Sequence, residues 1–197
     1  MCKLLKIWDL IRKDEFQGYG EGDNFSPIWG LIIPHEKKAQ GAMNYDGTYS
    51  EYNYALEMSR HIGIPFQTRD DGGVYTATER LINEYKINST IETHFNAYNR
   101  NAHGYELLVM KGDSLSERYA RLMIESFSDI YPKRRARGDA GIKWVSKGDR
   151  GYYNLSKAKD AGAVVTILSE LCFGDNVVDY ISPIKQAEFW RSHFIDE

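Results

Sequence analysis

An apolar, largely β-branched run late in the chain constrains the fold more than any other feature. Residues 162–169 read Gly-Ala-Val-Val-Thr-Ile-Leu-Ser, without the alternation of apolar and polar residues of a half-exposed strand. Such a strand is buried on both faces, which is typical of the centre of a sheet covered by helices on each side. Glu170 follows the run directly, and its carboxylate would be costly to bury without a partner. The run therefore predicts an α/β domain with an ionisable group at the end of a central strand.

The rest of the chain alternates short strands with helices. Strands are predicted over residues 29–34, 66–68, 89–94 and 104–110, and helices over residues 49–62, 78–85, 114–130 and 183–194. Thr78 is predicted to cap the second of these helices. We therefore expect an α/β fold with an open, mostly parallel or mixed sheet, flanked by helices on both faces in three layers.

Residues 1–28 precede the first predicted strand and form a region of their own. Leu4, Ile7, Trp8 and Ile11 recur at helical spacing, so we expect an amphipathic helix in this N-terminal extension. The remainder, residues 29–197, has the length of one ordinary domain with a full core.

Composition excludes several classes of protein. The formal net charge of -3 argues against a dedicated nucleic-acid binder, and no apolar run approaches the ~18 residues of a membrane span. Residues 1–10 lack the long apolar segment of a secretory signal, so we expect no signal peptide. Two cysteines, Cys2 and Cys172, are too few for a disulfide framework. Cys172 lies two residues after Glu170, so an uninterrupted strand would point both side chains to one side, and we expect a packed thiol there.

Four ionisable residues lie at the predicted ends of these elements. His35 and His94 come at or just after the ends of strands, Glu51 opens a helix, and Glu170 follows the buried run. Taken alone, Glu51 would pass for a carboxylate stabilised by the helix dipole. Together, two imidazoles and one carboxylate are the ligands of a catalytic zinc with an open position for water, and a second carboxylate can carry protons.

The sequence around these residues resembles the zinc-dependent N-acetylmuramoyl-L-alanine amidases of bacterial cell-wall turnover and phage lysis. The resemblance is collinear over about residues 29–195, although the two glycines and the aspartate that follow the family's first histidine are absent after His35. The run Glu92-Thr93-His94-Phe95-Asn96-Ala97 resembles the family's motif Ser-Ile-His-x-Asn-Ala. The other matching runs are Ile33-Pro34-His35 with Gly41-Ala42, Ser50-Glu51, Thr68-Arg69, Gly104-Tyr105-Glu106 and Ser169-Glu170.

The resemblance implies a peptidoglycan hydrolase. Its catalytic domain would span residues 29–197 and hold one zinc ion per chain through His35, Glu51 and His94. Glu170 would be the catalytic residue in hydrolysis of the amide bond between N-acetylmuramic acid and L-alanine. Arg69, His103 and Arg137 are candidates for substrate binding.

Two alternatives stay open at this point. A zinc carboxypeptidase-like enzyme or a γ-glutamyl peptidase of the same fold would use the same ligands, and an inactive cell-wall-binding module would retain the fold alone. Peptidoglycan is the expected partner, with neither nucleic acid nor membrane insertion. We expect synthesis in the cytoplasm and action at the cell wall, reached by phage-type release or by delivery within an assembly.

A basic segment is the last feature of the sequence. Residues 132–150 hold seven positive and two negative side chains, a local charge of +5. We interpret it either as a loop that attracts an anionic polymer such as peptidoglycan or teichoic acid, or as a solvated loop.

Overall fold

The buried run forms the longest strand of a six-stranded sheet in the computed structural model, which describes residues 25–194. The strands within that range are β1 (Trp29–Ile32), β2 (Phe66–Gln67), β3 (Ser89–Asn96), β4 (Glu106–Met110), β5 (Ile142–Val145) and β6 (Val165–Phe173). The helices within it are α1 (Glu51–Ile62), α2 (Gly73–Tyr85), α3 (Ser114–Ile130), α4 (Tyr152–Asp160) and α5 (Pro183–Phe194). The helix predicted within residues 1–28 lies outside the described residues.

The sheet is mixed, with strand order β2-β1-β3-β6-β4-β5. Strands β2, β1, β3 and β6 are parallel to one another, whereas β4 pairs with β6 antiparallel and with β5 parallel. Consequently the carboxyl ends of β1, β3 and β6 share one edge of the sheet with the amino end of β4. At this edge Glu170 lies opposite His94 on one side and opposite Glu106 on the other.

Helices cover both faces of the sheet, as the buried run predicted. On one face, side chains of α1, α3 and α5 pack with alternate strand residues such as Leu31, Ile91 and Ile167. On the other face, α2 and α4 pack against residues such as Ile32 and Leu168. Both β3 and β6 are buried along their whole length. The prediction of an open three-layer α/β fold is confirmed.

Several details differ from the sequence-based expectation. Helix α2 begins at Gly73, so Thr78 lies inside the helix and does not cap it, because Val74 and Ala77 extend the buried face toward the amino terminus. Strand β5 and helix α4 were not predicted. Both are short, and β5 lies within the segment 132–150 that was expected to be a loop.

Strand β6 continues through Glu170 and contains an irregularity just after it. Between the pairs His94–Glu170 and Asn96–Phe173, β3 advances by two residues and β6 by three, which is a β-bulge. Because of the extra residue, Cys172 packs in the core with α1, α3 and α5. The expectation that Cys172 and Glu170 share one side is therefore wrong, whereas the thiol is buried and free as expected.

Candidate active site

His35 is held beside the end of β1 by a tight loop. Its backbone adopts a left-handed conformation, with φ of 61°, and the loop returns through an isolated bridge between Glu36 and Ala39. Gly41 then passes directly over the imidazole, since a Cβ at this position would lie 2.5 Å from both Cδ2 and Nε2 of His35. A glycine is therefore required here for close approach of the backbone.

Glu51 is the first residue of α1 and points back into the same loop. Ser50 caps the helix by accepting a hydrogen bond from the amide of Asn53, which fixes the direction of the first turn. The Oε1 atom of Glu51 accepts from the amide of Ala42 at 3.1 Å. Its Oε2 atom lies 2.7 Å from Nδ1 of His94 and 3.2 Å from Nε2 of His35.

These three side chains form one cluster of potential metal ligands. One ligand atom each from His35, Glu51 and His94 lies within 4.8 Å of the others. Burial raises the pKa of Glu51, but the two imidazoles outweigh burial and lower it to about 2, so the carboxylate is ionised at neutral pH. The group can hold a metal ion.

One buried nitrogen of the cluster lacks a well-aligned hydrogen-bond partner. Nε2 of His35 is buried and has no well-aligned hydrogen bond with the described residues, although it lies 3.2 Å from Oε2 of Glu51. A buried ring nitrogen without a well-aligned partner is costly, and a metal ion would satisfy it when the nitrogen is deprotonated. Two imidazole nitrogens and a carboxylate are also ligands that zinc accepts. The residues present therefore fit a zinc ion.

His94 is oriented by a second carboxylate, Glu92, on the same face of β3. The Nε2 atom of His94 donates to Oε1 of Glu92 at 3.2 Å, while Nδ1 faces Glu51. Glu92 in turn accepts from Arg69 at 2.9 Å and from Asn154 of α4 at 3.1 Å. Burial alone raises the pKa of Glu92, but His94 and Arg69 lower it overall, so this buried carboxylate is anionic.

The role of Glu92 was missed in the sequence. The available signal was its position in the motif that resembles Ser-Ile-His-x-Asn-Ala, because an acidic residue stands here in place of serine. Burial of this carboxylate requires cations and amide donors, and its partners come from positions 23 and 62 residues away in the chain. No local pattern connects these positions.

Glu170 lies opposite His94 in the sheet but is not one of the three clustered ligands, and its carboxylate faces Arg150. The Oε1 atom of Glu170 is 3.2 Å from the Arg150 guanidinium, and the neighbouring Glu106 accepts from Arg137 at 2.7 Å. Burial raises the pKa of Glu170, and the adjacent Glu106 raises it further, while Arg150 and His94 oppose this. The net effect is a raised pKa, which suits a carboxylate that accepts and returns a proton.

The three candidates for substrate binding have different surroundings. Arg69 bonds Glu92 and is mostly buried, and Arg137 is half-buried against Glu106 with its guanidinium over the ring of Phe173. His103 is exposed in the loop after β3. Their role in substrate binding stays a prediction.

Part of the charge of the basic segment 132–150 is compensated by neighbouring residues. Arg134 bonds both the side chain and the carbonyl oxygen of Asp179, and both side chains of this pair are largely buried. Arg137 and Arg150 face Glu106 and Glu170, as described above. The segment therefore acts partly as a wall of the site, and its binding to the cell wall stays a prediction.

Comparison with solved structures places this arrangement in a known fold. The catalytic domain of CwlV, an N-acetylmuramoyl-L-alanine amidase from Bacillus (Paenibacillus) polymyxa, is similar with a TM-score of 0.61 and 14% identity, over 85% of this chain and 95% of that one. The chain has the fold of the N-acetylmuramoyl-L-alanine amidases. Two further structures with the amidase fold match equally broadly. Ami1 from Mycobacterium smegmatis has a TM-score of 0.60 and 13% identity, over 85% of this chain and 96% of that one.

The catalytic domain of the CD27L endolysin, which targets Clostridium difficile, is also similar. Its TM-score is 0.58 and its identity 18%, over 84% of this chain and 94% of that one. No protein-family model matches the sequence, and comparison with curated proteins finds no match. Similarity to the amidases is therefore carried by the fold and by short motifs. In residues 25–194 no helix has the length and apolar character needed to cross a membrane.

Proposed function

We propose that this protein is a zinc-dependent N-acetylmuramoyl-L-alanine amidase. It hydrolyses the amide bond that joins the lactyl group of N-acetylmuramic acid to L-alanine of the peptide stem. The observation that carries the proposal is the convergence of His35, Glu51 and His94 beside Glu170, at one edge of a sheet with the amidase fold. One zinc ion per chain is held by the first three residues, and residues 29–197 are the catalytic domain.

Zinc and Glu170 have different roles in the proposed reaction. When bound, zinc lowers the pKa of a coordinated water toward about 7 and polarises the substrate carbonyl. Glu170 accepts a proton from the attacking water and then delivers it to the departing amine. Its raised pKa suits both steps, because a carboxylate that returns a proton must hold it for part of the cycle.

Glu92 keeps His94 in the orientation that the metal requires. Metal-ligating histidines usually donate their other ring N–H to a carboxylate or carbonyl, which fixes the tautomer and increases the basicity of the ligating nitrogen. The bond from Nε2 of His94 to Glu92 leaves Nδ1 directed at Glu51 and the metal position. Arg69 and Asn154 hold Glu92 in place, so this network supports the proposed zinc site.

We expect Glu92→Gln to weaken zinc binding by about 10-fold to 100-fold, because the neutral amide is a poorer acceptor for His94. The measurement is competition with a chelator of known affinity, on protein whose circular dichroism matches wild type. Glu79→Gln, at an exposed position of α2, is the matched control and should leave zinc affinity unchanged. Equal affinities in Glu92→Gln and wild type would show that Glu92 does not support the site.

The proposed activity is tested with purified peptidoglycan. We expect wild-type protein to lower the turbidity of a cell-wall suspension, a chelator to stop this, and added zinc to restore it. Activity that survives complete removal of metal, confirmed by elemental analysis, would contradict the proposal. Peptidoglycan is the proposed partner and the cell wall the proposed site of action.

A further inference from the structure

A pocket of about 690 Å³ adjoins the candidate active site and has no role in the mechanism above. Its walls come from the ends of β3 and β6 and from three loops. Arg137 and Arg150 line the pocket and also contact Glu106 and Glu170, so the pocket lies next to the proposed catalytic carboxylate. A ligand held there would lie on the Glu170 side of the metal position.

The pocket is cationic. Its described lining includes three arginines, Arg135, Arg137 and Arg150, and no aspartate or glutamate. Arg137 and Arg150 are paired with carboxylates outside the lining, whereas the guanidinium of Arg135 has no ion pair or hydrogen bond with any residue in the described range. Arg135 is therefore the cation whose charge is available to a ligand, and guanidinium favours planar anions such as carboxylates.

A buried amide directed at the same pocket also lacks a partner. Asn96 lies two residues after His94 on β3, so both side chains leave the strand on the same side. It is 5% exposed and lines the pocket, and its Nδ2 atom forms no hydrogen bond within residues 25–194. Buried amide donors are normally paired, so this group is free to donate to an acceptor oxygen of a ligand.

The position of Glu170 relative to the scissile bond indicates which half of the substrate would occupy the pocket. Glu170 returns its proton to the departing amine, which belongs to the peptide half of the substrate. The peptide therefore leaves the scissile bond on the Glu170 side, toward Arg150 and the pocket. The sugar half would extend from the opposite side of the carbonyl.

We propose that this pocket binds an acidic residue of the peptide stem, with Arg135 pairing with its carboxylate and Asn96 donating to a peptide carbonyl. This inference rests on the proposed amidase function. It assigns the protein a preference for stems in which this carboxylate is free over stems in which it is amidated.

The test compares two N-acetylmuramoyl-L-alanyl peptides whose second residue carries either a free carboxylate or the corresponding carboxamide. For wild type we expect kcat/KM to favour the carboxylate about 10-fold to 100-fold, the range of a charge-assisted hydrogen bond. Arg135→Gln should remove this preference, with the larger loss of kcat/KM on the carboxylate substrate. Arg191→Gln, at an exposed arginine of α5, is the matched control and should retain the preference.

A binding measurement separates this inference from the proposed function. The two free peptides, beginning at L-alanine, are titrated calorimetrically into zinc-loaded protein, which requires no turnover. Preferential binding of the carboxylate peptide that depends on Arg135 would support the pocket even if neither muramoyl substrate were hydrolysed. Equal binding of both peptides, or a preference retained in Arg135→Gln, would overturn the inference. The inference would also be overturned if Arg135→Gln kept the peptide preference but sedimented less with teichoic acid. Arg135 would then bind an anionic polymer and not the peptide stem.

Discussion

Glu170→Gln should retain zinc and lose activity. Glutamine keeps the size of the side chain and can still hydrogen bond, but it cannot accept a proton from water. General acid–base catalysis contributes about 10²-fold to 10⁴-fold in rate, so hydrolysis of peptidoglycan should fall by at least that order. Zinc content should stay near one per chain, because Glu170 contacts Arg150 and is not one of the three clustered ligand atoms.

Rate and metal content must be measured on the same preparations of Glu170→Gln. Glu79→Gln provides the matched control, since it makes the same chemical change at an exposed site on α2. Loss of zinc in Glu170→Gln would make Glu170 a ligand. Near-normal turnover with zinc retained would remove Glu170 from the mechanism altogether.

Replacing a ligand should have the opposite pattern, with the metal lost first. His94→Ala removes the imidazole that joins Glu51 to Glu92, so zinc content after purification without added metal should fall from about one per chain to near zero. His61→Ala is the matched control, because His61 is an exposed histidine of α1 that bonds Glu57 and should not affect metal content.

Folding is a separate concern for His94→Ala, since it leaves two buried carboxylates without their shared partner. His35→Ala provides a second variant, because the side chain of His35 is 31% exposed and its removal disturbs the core less. We expect it also to lose zinc while its circular dichroism stays that of wild type. Full zinc content in either folded variant would reject that histidine as a ligand.

The central layer of the fold could be predicted because its signals are local. A doubly buried strand requires an apolar run, and residues 163–168 contain one. Helix α3 was predicted with its observed bounds, since its long apolar face and the Asp113 cap lie within the segment itself. Weakly patterned elements were missed, as in β5, where Trp144 is partly exposed and the strand is only four residues long.

The directions of the strands could have been predicted from the sequence, but the sheet was expected only to be mostly parallel or mixed. Nine residues connect the end of β3 at Asn96 to the start of β4 at Glu106. A parallel crossover requires a dozen or more residues, so this connection favours reversal of the chain direction. The reversal is what brings Glu106 opposite Glu170.

The candidate site was only partly predictable, because some of its residues lie in local motifs and others are brought together only by the fold. His35, Glu51 and His94 could be found because each lies at the end of an element and within a short motif, and the structure brings all three together. Glu170 was also found, but the role of Glu92 and the pairs Glu92–Arg69 and Glu170–Arg150 were not, because each pair joins distant segments. Such pairing depends on the order of strands in the sheet, which local sequence patterns do not reveal.

The identity of the bond cleaved tests the account most directly. Purified peptidoglycan is digested with zinc-loaded protein, and the soluble products are analysed by mass spectrometry. We predict intact peptide stems that begin with a free L-alanine amino group, together with glycan chains whose muramic acid lactyl groups carry free carboxylates. New termini within the peptide stems would instead identify a peptidase of the same fold, and no products at all would identify a wall-binding module; either result would contradict the account.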